Sequence, residues 1–340
     1  MKVKIVLPTN KLSGGTLQAI ELSKDLEQCG IHSDVICIFR HHEKFYKNNN
    51  LSFITNYTLP IGKLKLPFFI FVYLRYLIEI RKVDELCIYT HFFTYPIFRN
   101  HKKFMLYLQG RENTFIKNQI FSLVIKKFIS HIASRSKLNI IVSKSLSFRC
   151  NSEILLPNVL PTTKKIQQEH KDLKLLFCYS NSHVKNPIFY ESVCKHKDIK
   201  KGFKIGVVEL SPFPYQHGNV IKFAPQTQKD FHKIQSRSDY FLVASLSEGF
   251  GLTVIEALMN GAIVFVTEFG GIGDELLRDI PFCKVTQPKE VIEKIHYLES
   301  NKLEKEKLKD KCMKFLEKSE KSRALKRSEA LFKIASKIVE

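Results

Sequence analysis

The chain is short of acidic charge, of paired cysteines and of any long uninterrupted apolar run, and each shortage excludes a class of protein. Its 340 residues carry 33 Asp and Glu against 54 Lys and Arg, a formal net charge of +21. Eight cysteines stand at 29, 37, 87, 150, 178, 194, 283 and 312, and no two have the spacing that a metal knuckle or a redox motif needs. A reduced, cytoplasmic setting is therefore expected. Before Pro8 the only apolar run is Ile5-Val6-Leu7, too short for the core of a signal peptide, so export by that route is not expected. The most apolar stretch, Lys63 to Lys82, is interrupted by Arg75 and Glu79 and cannot span a bilayer, which takes about 20 apolar residues. Low-complexity segments and short repeats are missing. So are zinc-finger spacing, an aromatic RNA-binding signature and basic-region heptads, and nucleic acid is not the partner that the basic charge calls for.

What remains is a globular composition, 44% apolar and 26% charged, in a chain long enough for two cores. The positive excess is greater at the front: residues 1–160 hold 23 basic and 10 acidic residues. An anionic membrane surface fits that charge, because two apolar segments carry basic flanks. One is Lys63 to Lys82. The other, Phe115 to Ile132, sets Lys117, Lys126 and Lys127 among Ile116, Ile120, Phe121, Val124, Ile125, Phe128 and Ile129 at helical spacing. Each reads either as a helix packed on a sheet or as an interfacial helix that dips apolar side chains into lipid.

Along the chain, apolar strands alternate with amphipathic helices. Lys4 to Pro8 predicts a strand. Ser13-Gly14-Gly15-Thr16 predicts a turn into a helix capped by Ser13, carrying Leu17, Ile20, Leu22 and Leu26, and closed by Gly30 in the left-handed position. Ile31 to Phe39 predicts the next strand, which completes the opening of a nucleotide-binding parallel sheet. Leu86–Tyr89, Phe104–Leu108 and Asn139–Val142 extend that sheet. The polar stretch 162–172 lacks apolar period and marks a boundary, giving domains 1–160 and 161–340. The second half repeats the alternation: strands over Leu173–Cys178, Phe203–Val208, Val220–Phe223, Tyr240–Ala244 and Ala262–Val266, and helices over Pro187–Cys194 and Asp230–Arg237. From Lys289 onward the chain is helical, with Ile292, Ile295, Leu298, Leu308, Met313 and Leu316 facing inward.

One segment stands out, Ser247-Glu248-Gly249-Phe250-Gly251-Leu252-Thr253-Val254-Ile255-Glu256, between two of those strands. Glycines 249 and 251 allow a tight turn with bare amides, and a helix starting near Leu252 points its positive end into it, a setting suited to phosphate. Glu248 and Glu256 flank the anion site. Two carboxylates there are tolerable only if they face hydroxyls, which implies a ligand with both a diphosphate and sugar rings.

With Ala262 to Ile272 following, this segment resembles the signature of the family 4 retaining glycosyltransferases, group 1 enzymes of GT-B fold whose hallmark is two glutamates separated by seven residues. Gly14-Gly15, Leu156-Pro157-Asn158 and Ser238-Asp239 extend the resemblance over nearly the whole chain. It implies an α/β fold of two Rossmann-like lobes facing a central cleft, with C-terminal helices, the last of which packs back on the N-terminal domain. The implied activity moves a hexose-type sugar, with retention, from a nucleotide-diphosphate sugar to a saccharide or lipid-linked acceptor in cell-surface polysaccharide or lipopolysaccharide assembly. On this resemblance Glu248 faces the donor sugar, Glu256 holds the ribose, and the amides of Phe250, Gly251 and Leu252 cradle the diphosphate. Lys185 neutralises the departing diphosphate, while Gly14, Gly15, Gln109, His91 and Ser180 join the substrate site. No cofactor and no metal are implied, and the expected location is the inner face of the cell membrane. Two departures weigh toward an inactive sugar-nucleotide sensor or scaffold: Ser180 stands where the family carries an arginine, and Gln109 where it often has a histidine or aspartate. A two-lobed sugar-nucleotide epimerase or a phosphorylase is the other reading.

Overall fold

The computed structural model describes residues 2–9, 14–39, 51–54, 65–91, 94–96, 104–110, 119–147, 152–159, 171–199, 202–216, 218–225 and 227–340. Ser13, Lys63, Arg111, Glu112, residues 115–118, Cys150 and residues 160–170 lie outside them. The chain divides into two compact units, Met1–Val159 with Ala324–Glu340, and Leu160–Arg323.

The first unit contains β1 (Lys2–Thr9), α1 (Gly14–Gln28), β2 (His32–Phe39), β3 (Leu51–Phe53), α2 (Lys65–Ile80), β4 (Leu86–Tyr89), β5 (Phe104–Leu108), α3 (Gln119–Arg135), β6 (Leu138–Ile141) and β7 (Glu153–Leu155). Its strands form one sheet in the order β3-β2-β1-β4-β5-β6-β7, parallel throughout. Every residue of β4, β5 and β6 is buried, as expected of strands covered by helices on both faces. Gly30 ends α1 with φ of 77°, and Ile20, Leu22 and Leu26 pack beneath that helix while Leu17 is only half-buried.

The Lys63 to Lys82 segment forms a helix with apolar residues on two sides. On α2, Val72, Tyr76, Leu77 and Ile80 are buried, and Tyr76 is tied to the carbonyl of Thr94. Ile70, Phe71, Leu74 and Ile78 are at least half exposed. The second segment divides differently. Ile129, Ile132 and Ala133 anchor the back of α3, and Ile120, Phe121, Leu123 and Val124 at its front are more than half exposed. Among the described residues no helix is long and apolar enough to cross a membrane.

The second unit contains β8 (Leu173–Tyr179), α4 (Pro187–Cys194), β9 (Ile205–Glu209), β10 (Val220–Phe223), α5 (Gln228–Ser236), β11 (Ser238–Val243), α6 (Leu252–Met259), β12 (Ile263–Val266), α7 (Ile272–Asp279), α8 (Pro288–Ser300) and α9 (Lys302–Val339). The strand order is β10-β9-β8-β11-β12, again all parallel. The last stretch of α9, from Ala324, belongs to the first unit, where Arg327 pairs with Asp25 and with the carbonyl of Pro157. Two expectations need correction. Ser238 and Asp239 begin β11 rather than precede it. Met313 is half-buried, and Cys312 and Phe315 are the inward residues beside it. Of the two glycines flanking Phe250, only Gly251 has positive φ; Gly261, Gly270 and Gly271 share that sign.

Candidate active site

In an open parallel sheet, ligands settle at the carboxyl ends of the strands where the strand order reverses. In the second unit that point lies between β8 and β11, since the chain leaves β8 toward β9 on one side and returns to β11 on the other. The loops that follow these two strands carry Ser180 to Lys185 and Ser245 to Gly251.

The loop after β8 folds into a 3-10 turn, His183–Lys185, ended by Asn186 at φ 53°, the one non-glycine with positive φ among the described residues. Asparagine tolerates that conformation, and Pro187 then supplies the first residue of α4. This sharp exit holds Lys185 at the rim. The loop after β11 is tied beside it: the Leu246 amide donates to the Val184 carbonyl (2.8 Å), the Ala244 amide to the Tyr190 hydroxyl (2.8 Å), and the Thr267 hydroxyl to the Ser245 carbonyl (2.7 Å).

As a result Lys185 and Glu248, 63 positions apart, form an ion pair through Nζ and Oε1, and the Ser245 hydroxyl donates to the same oxygen at 2.7 Å. Their side chains are 34% and 16% exposed, so the pair lies open to a ligand while partly shielded from solvent screening.

Beyond the pair, Gly251 takes the left-handed conformation (φ 90°) and starts α6 with no side chain capping its first turn. The first amides of such a helix have no intrahelical acceptor and carry the positive end of its dipole. Glycines 270 and 271 complete the loop. The Ile272 amide donates to the Phe250 carbonyl (2.8 Å), and a Cβ on Gly271 would lie 2.4 Å from that same oxygen. The Phe250 ring is buried. Arg323 of α9 stacks over it at 4.3 Å and pairs with Glu275 at 2.7 Å.

Glu256 lies one turn into α6 and is only 6% exposed, which excludes a solvated surface glutamate. Gln228, at the start of α5, donates to its Oε1 at 3.3 Å, and burial raises the carboxyl to about 7. Beneath it, Asn260 bridges the Glu256 carbonyl and the side chain of Gln235. Ser180, at the end of β8, uses its hydroxyl oxygen to accept the Ser182 amide at 3.3 Å, as a turn residue does.

The sequence-derived residues therefore fall into two groups. Lys185, Glu248, Phe250, Gly251, Leu252, Glu256 and Ser180 share the carboxyl edge of the second sheet. Gly14, Gly15, His91 and Gln109 stand at the carboxyl ends of β1, β4 and β5 in the first unit. There Gly14 opens α1, burial lowers the His91 imidazole to about 4 and so keeps it neutral at pH 7, and the buried amide nitrogen of Gln109 has no hydrogen-bond partner among the described residues. The sequence did not point to Gln228, Ser245, Asn186 or Arg323. Of these only Asn186 carried a local signal, an asparagine directly before a helix-starting proline.

Residues 215–326 match the family model of the glycosyl transferases group 1. That stretch includes Gln228, both glutamates, the glycine loop and Arg323; Lys185 and Ser180 lie before it. Among solved structures, sucrose-phosphate synthase from Thermosynechococcus elongatus is similar over 98% of this chain and 99% of its own, with a TM-score of 0.70 at 11% identity. HepE from Anabaena, in complex with UDP and glucose, is similar over 99% and 100% (TM-score 0.68, 14% identity). A glycosyltransferase from Rickettsia africae ESF-5 is similar over 100% and 98% (TM-score 0.63, 15% identity). No curated protein matches the chain. At these identities the structures establish the fold, the two-sheet α/β architecture of GT-B glycosyltransferases, and the family match supports the group 1 assignment.

Proposed function

We propose that the chain is a family 4 retaining glycosyltransferase that moves a hexose-type sugar from a nucleotide-diphosphate sugar to a saccharide or lipid-linked acceptor. The observation that carries this reading is the Lys185–Glu248 pair beside the uncapped start of α6, with the buried Glu256 one turn further on. A bound diphosphate takes the ammonium of Lys185 and the first amides of α6, and sugar hydroxyls replace Lys185 as donors to Glu248. Glu256 accepts from the ribose hydroxyls. Gly14, Gly15, His91 and Gln109 stand at the carboxyl edge of the first unit's own sheet, where this reading places acceptor binding.

Retention follows from a same-face reaction: the bond from the anomeric carbon to the diphosphate oxygen breaks, the acceptor oxygen bonds to that carbon on the same face, and its proton passes to the leaving diphosphate. Stabilising the leaving charge is the main catalytic demand, met by Lys185 and the helix end. On this reading no divalent ion takes part, and EDTA leaves the rate unchanged. HepE, similar in fold, is seen with UDP and glucose, and the donor panel begins with uridine nucleotides for that reason. A thermal-shift screen of nucleoside diphosphates and their sugars identifies the donor; transfer that is unchanged in K185A or E248A refutes the assignment. The local engagement of the Ser180 hydroxyl favours one second reading, an inactive sugar-nucleotide sensor, which predicts donor binding without turnover.

The partner surface in this reading is the inner face of the cell membrane, with assembly of surface polysaccharide or lipopolysaccharide as the setting. The connections β3-α2-β4 and β5-α3-β6 run the same way along the first sheet, and right-handed crossovers put both helices on one face of it. Their exposed residues Ile70, Phe71, Leu74, Ile78, Ile120, Phe121, Leu123 and Val124, with Arg75, Lys126 and Lys127, suit insertion among anionic headgroups. Flotation with phosphatidylglycerol vesicles, and its absence with phosphatidylcholine alone, is the expected result; equal recovery with both lipids rejects the claim.

A further inference from the structure

Arg323 has no part in the chemistry proposed for the site. Its side chain is 11% exposed, although an arginine is ordinarily a surface residue, and its buried Nε has no hydrogen-bond partner among the described residues. Leaving a guanidinium nitrogen buried and unsatisfied is costly, so the remaining contacts must fix the group strongly. Two do so. The guanidinium lies 4.3 Å from the centroid of the Phe250 ring, and Nη2 donates to Glu275 Oε2 at 2.7 Å, in the first turn of α7.

Phe250 is thereby held on three sides. Arg323 covers its ring, the Ile272 amide binds its carbonyl, and its backbone rests against Gly271, where no side chain fits. Phe250 and Gly251 lead directly into the uncapped start of α6, whose first amides face the diphosphate in the proposed function. An anion cradle of bare amides binds in proportion to how well their directions are fixed beforehand.

We propose that Arg323 is a positioning residue for diphosphate binding. It locks the Glu248–Leu252 loop by stacking on Phe250 while Glu275 holds the guanidinium flat, and it does not touch the ligand. The proposal rests on the reading of that loop as a diphosphate site. A planar, delocalised cation is needed for the stack, and lysine does not replace it.

The test is titration calorimetry of the full chain with UDP, GDP and ADP, and with the monophosphate of whichever binds best. R323A is expected to weaken the diphosphate about tenfold while leaving the monophosphate within about twofold, because the loop amides serve mainly the second phosphate. R323K recovers only a small part of the loss, and KM for the donor rises more than kcat falls. E275Q, on a more exposed side chain that can be changed without a cavity, gives a smaller loss in the same direction and keeps the proposal testable if R323A does not fold. Equal weakening of both nucleotides, in step with a lower melting temperature, means a purely structural arginine and overturns the proposal. So does full rescue by R323K. A wild-type protein that binds none of the three diphosphates overturns the reading of the loop, and this inference with it; binding that R323A leaves intact overturns the role of Arg323 alone.

Discussion

Glu256 offers the sharpest test, because stability and binding pull on it in opposite directions. Its carboxyl is 6% exposed, has one hydrogen-bond donor at 3.3 Å, and titrates at about 7 instead of 4.5. Desolvation is the largest cause, with the Gln228 hydrogen bond acting weakly the other way. The folded state prefers the protonated acid, so the stability that Glu256 contributes is complete below pH 4.5 and is lost as pH rises through about 7. A shift of about 2.5 units corresponds to about 3 kcal/mol at alkaline pH. Glutamine keeps the shape and never ionises. E256Q is therefore expected to match the wild type near pH 4 and to exceed it by up to about 3 kcal/mol at pH 8, or roughly 6–12 °C in melting temperature for a unit of this size. The same change replaces the ionised, two-oxygen acceptor for the ribose hydroxyls by a neutral amide with one acceptor oxygen, and weakens nucleotide binding by about tenfold. Thermal unfolding followed by circular dichroism from pH 4 to pH 8, with calorimetric titration at pH 8, measures both effects. A stability difference that does not change with pH, or a wild type more stable than E256Q at pH 8, refutes the burial argument.

Three further outcomes are expected. E248Q releases Lys185 from its ion pair and so tightens binding of the free nucleoside diphosphate by about fivefold while abolishing sugar transfer, whereas K185A weakens the diphosphate; calorimetry and a transfer assay read both. G271A forces a side chain to φ 60° and ψ −133°, with its Cβ 2.4 Å from the Phe250 carbonyl oxygen, and should cost about 3 kcal/mol or more in urea unfolding. R327A leaves Asp25, 17% exposed, without its guanidinium partner and should cost about 3 kcal/mol, which the double variant D25N/R327M recovers in part.

The strand and helix alternation was legible because its signals are local. Runs such as Leu86–Tyr89 and Phe104–Leu108 are continuously apolar since both faces of a parallel strand are covered, and they were found at their observed limits. The elements without such signals went unread. β3 and β7 have three residues each, and α7 is one eight-residue helix whose start depends on Gly271 rather than on a capping side chain. The apolar segments at α2 and α3 showed their helical period, yet no sequence rule said which face each would bury, since apolar residues occupy both sides of α2.

For the candidate site, the sequence by itself determined the glycine loop, its helix, the two glutamates and the lysine. The loop, its helix and the flanking glutamates follow from residue type and spacing, whereas Lys185 came from the family resemblance alone. Only the tertiary structure decided how they act on one another. Lys185 meets Glu248 because parallel strands β8 and β11 lie side by side, which no spacing of 63 residues encodes. Glu256 is raised to about 7 because the fold buries it beside Gln228 of α5, away from water. Arg323 reaches Phe250 because α9 packs back along the unit. Pairing, burial and stacking depend on distances in space, and the order of residues fixes those only once the whole chain has folded.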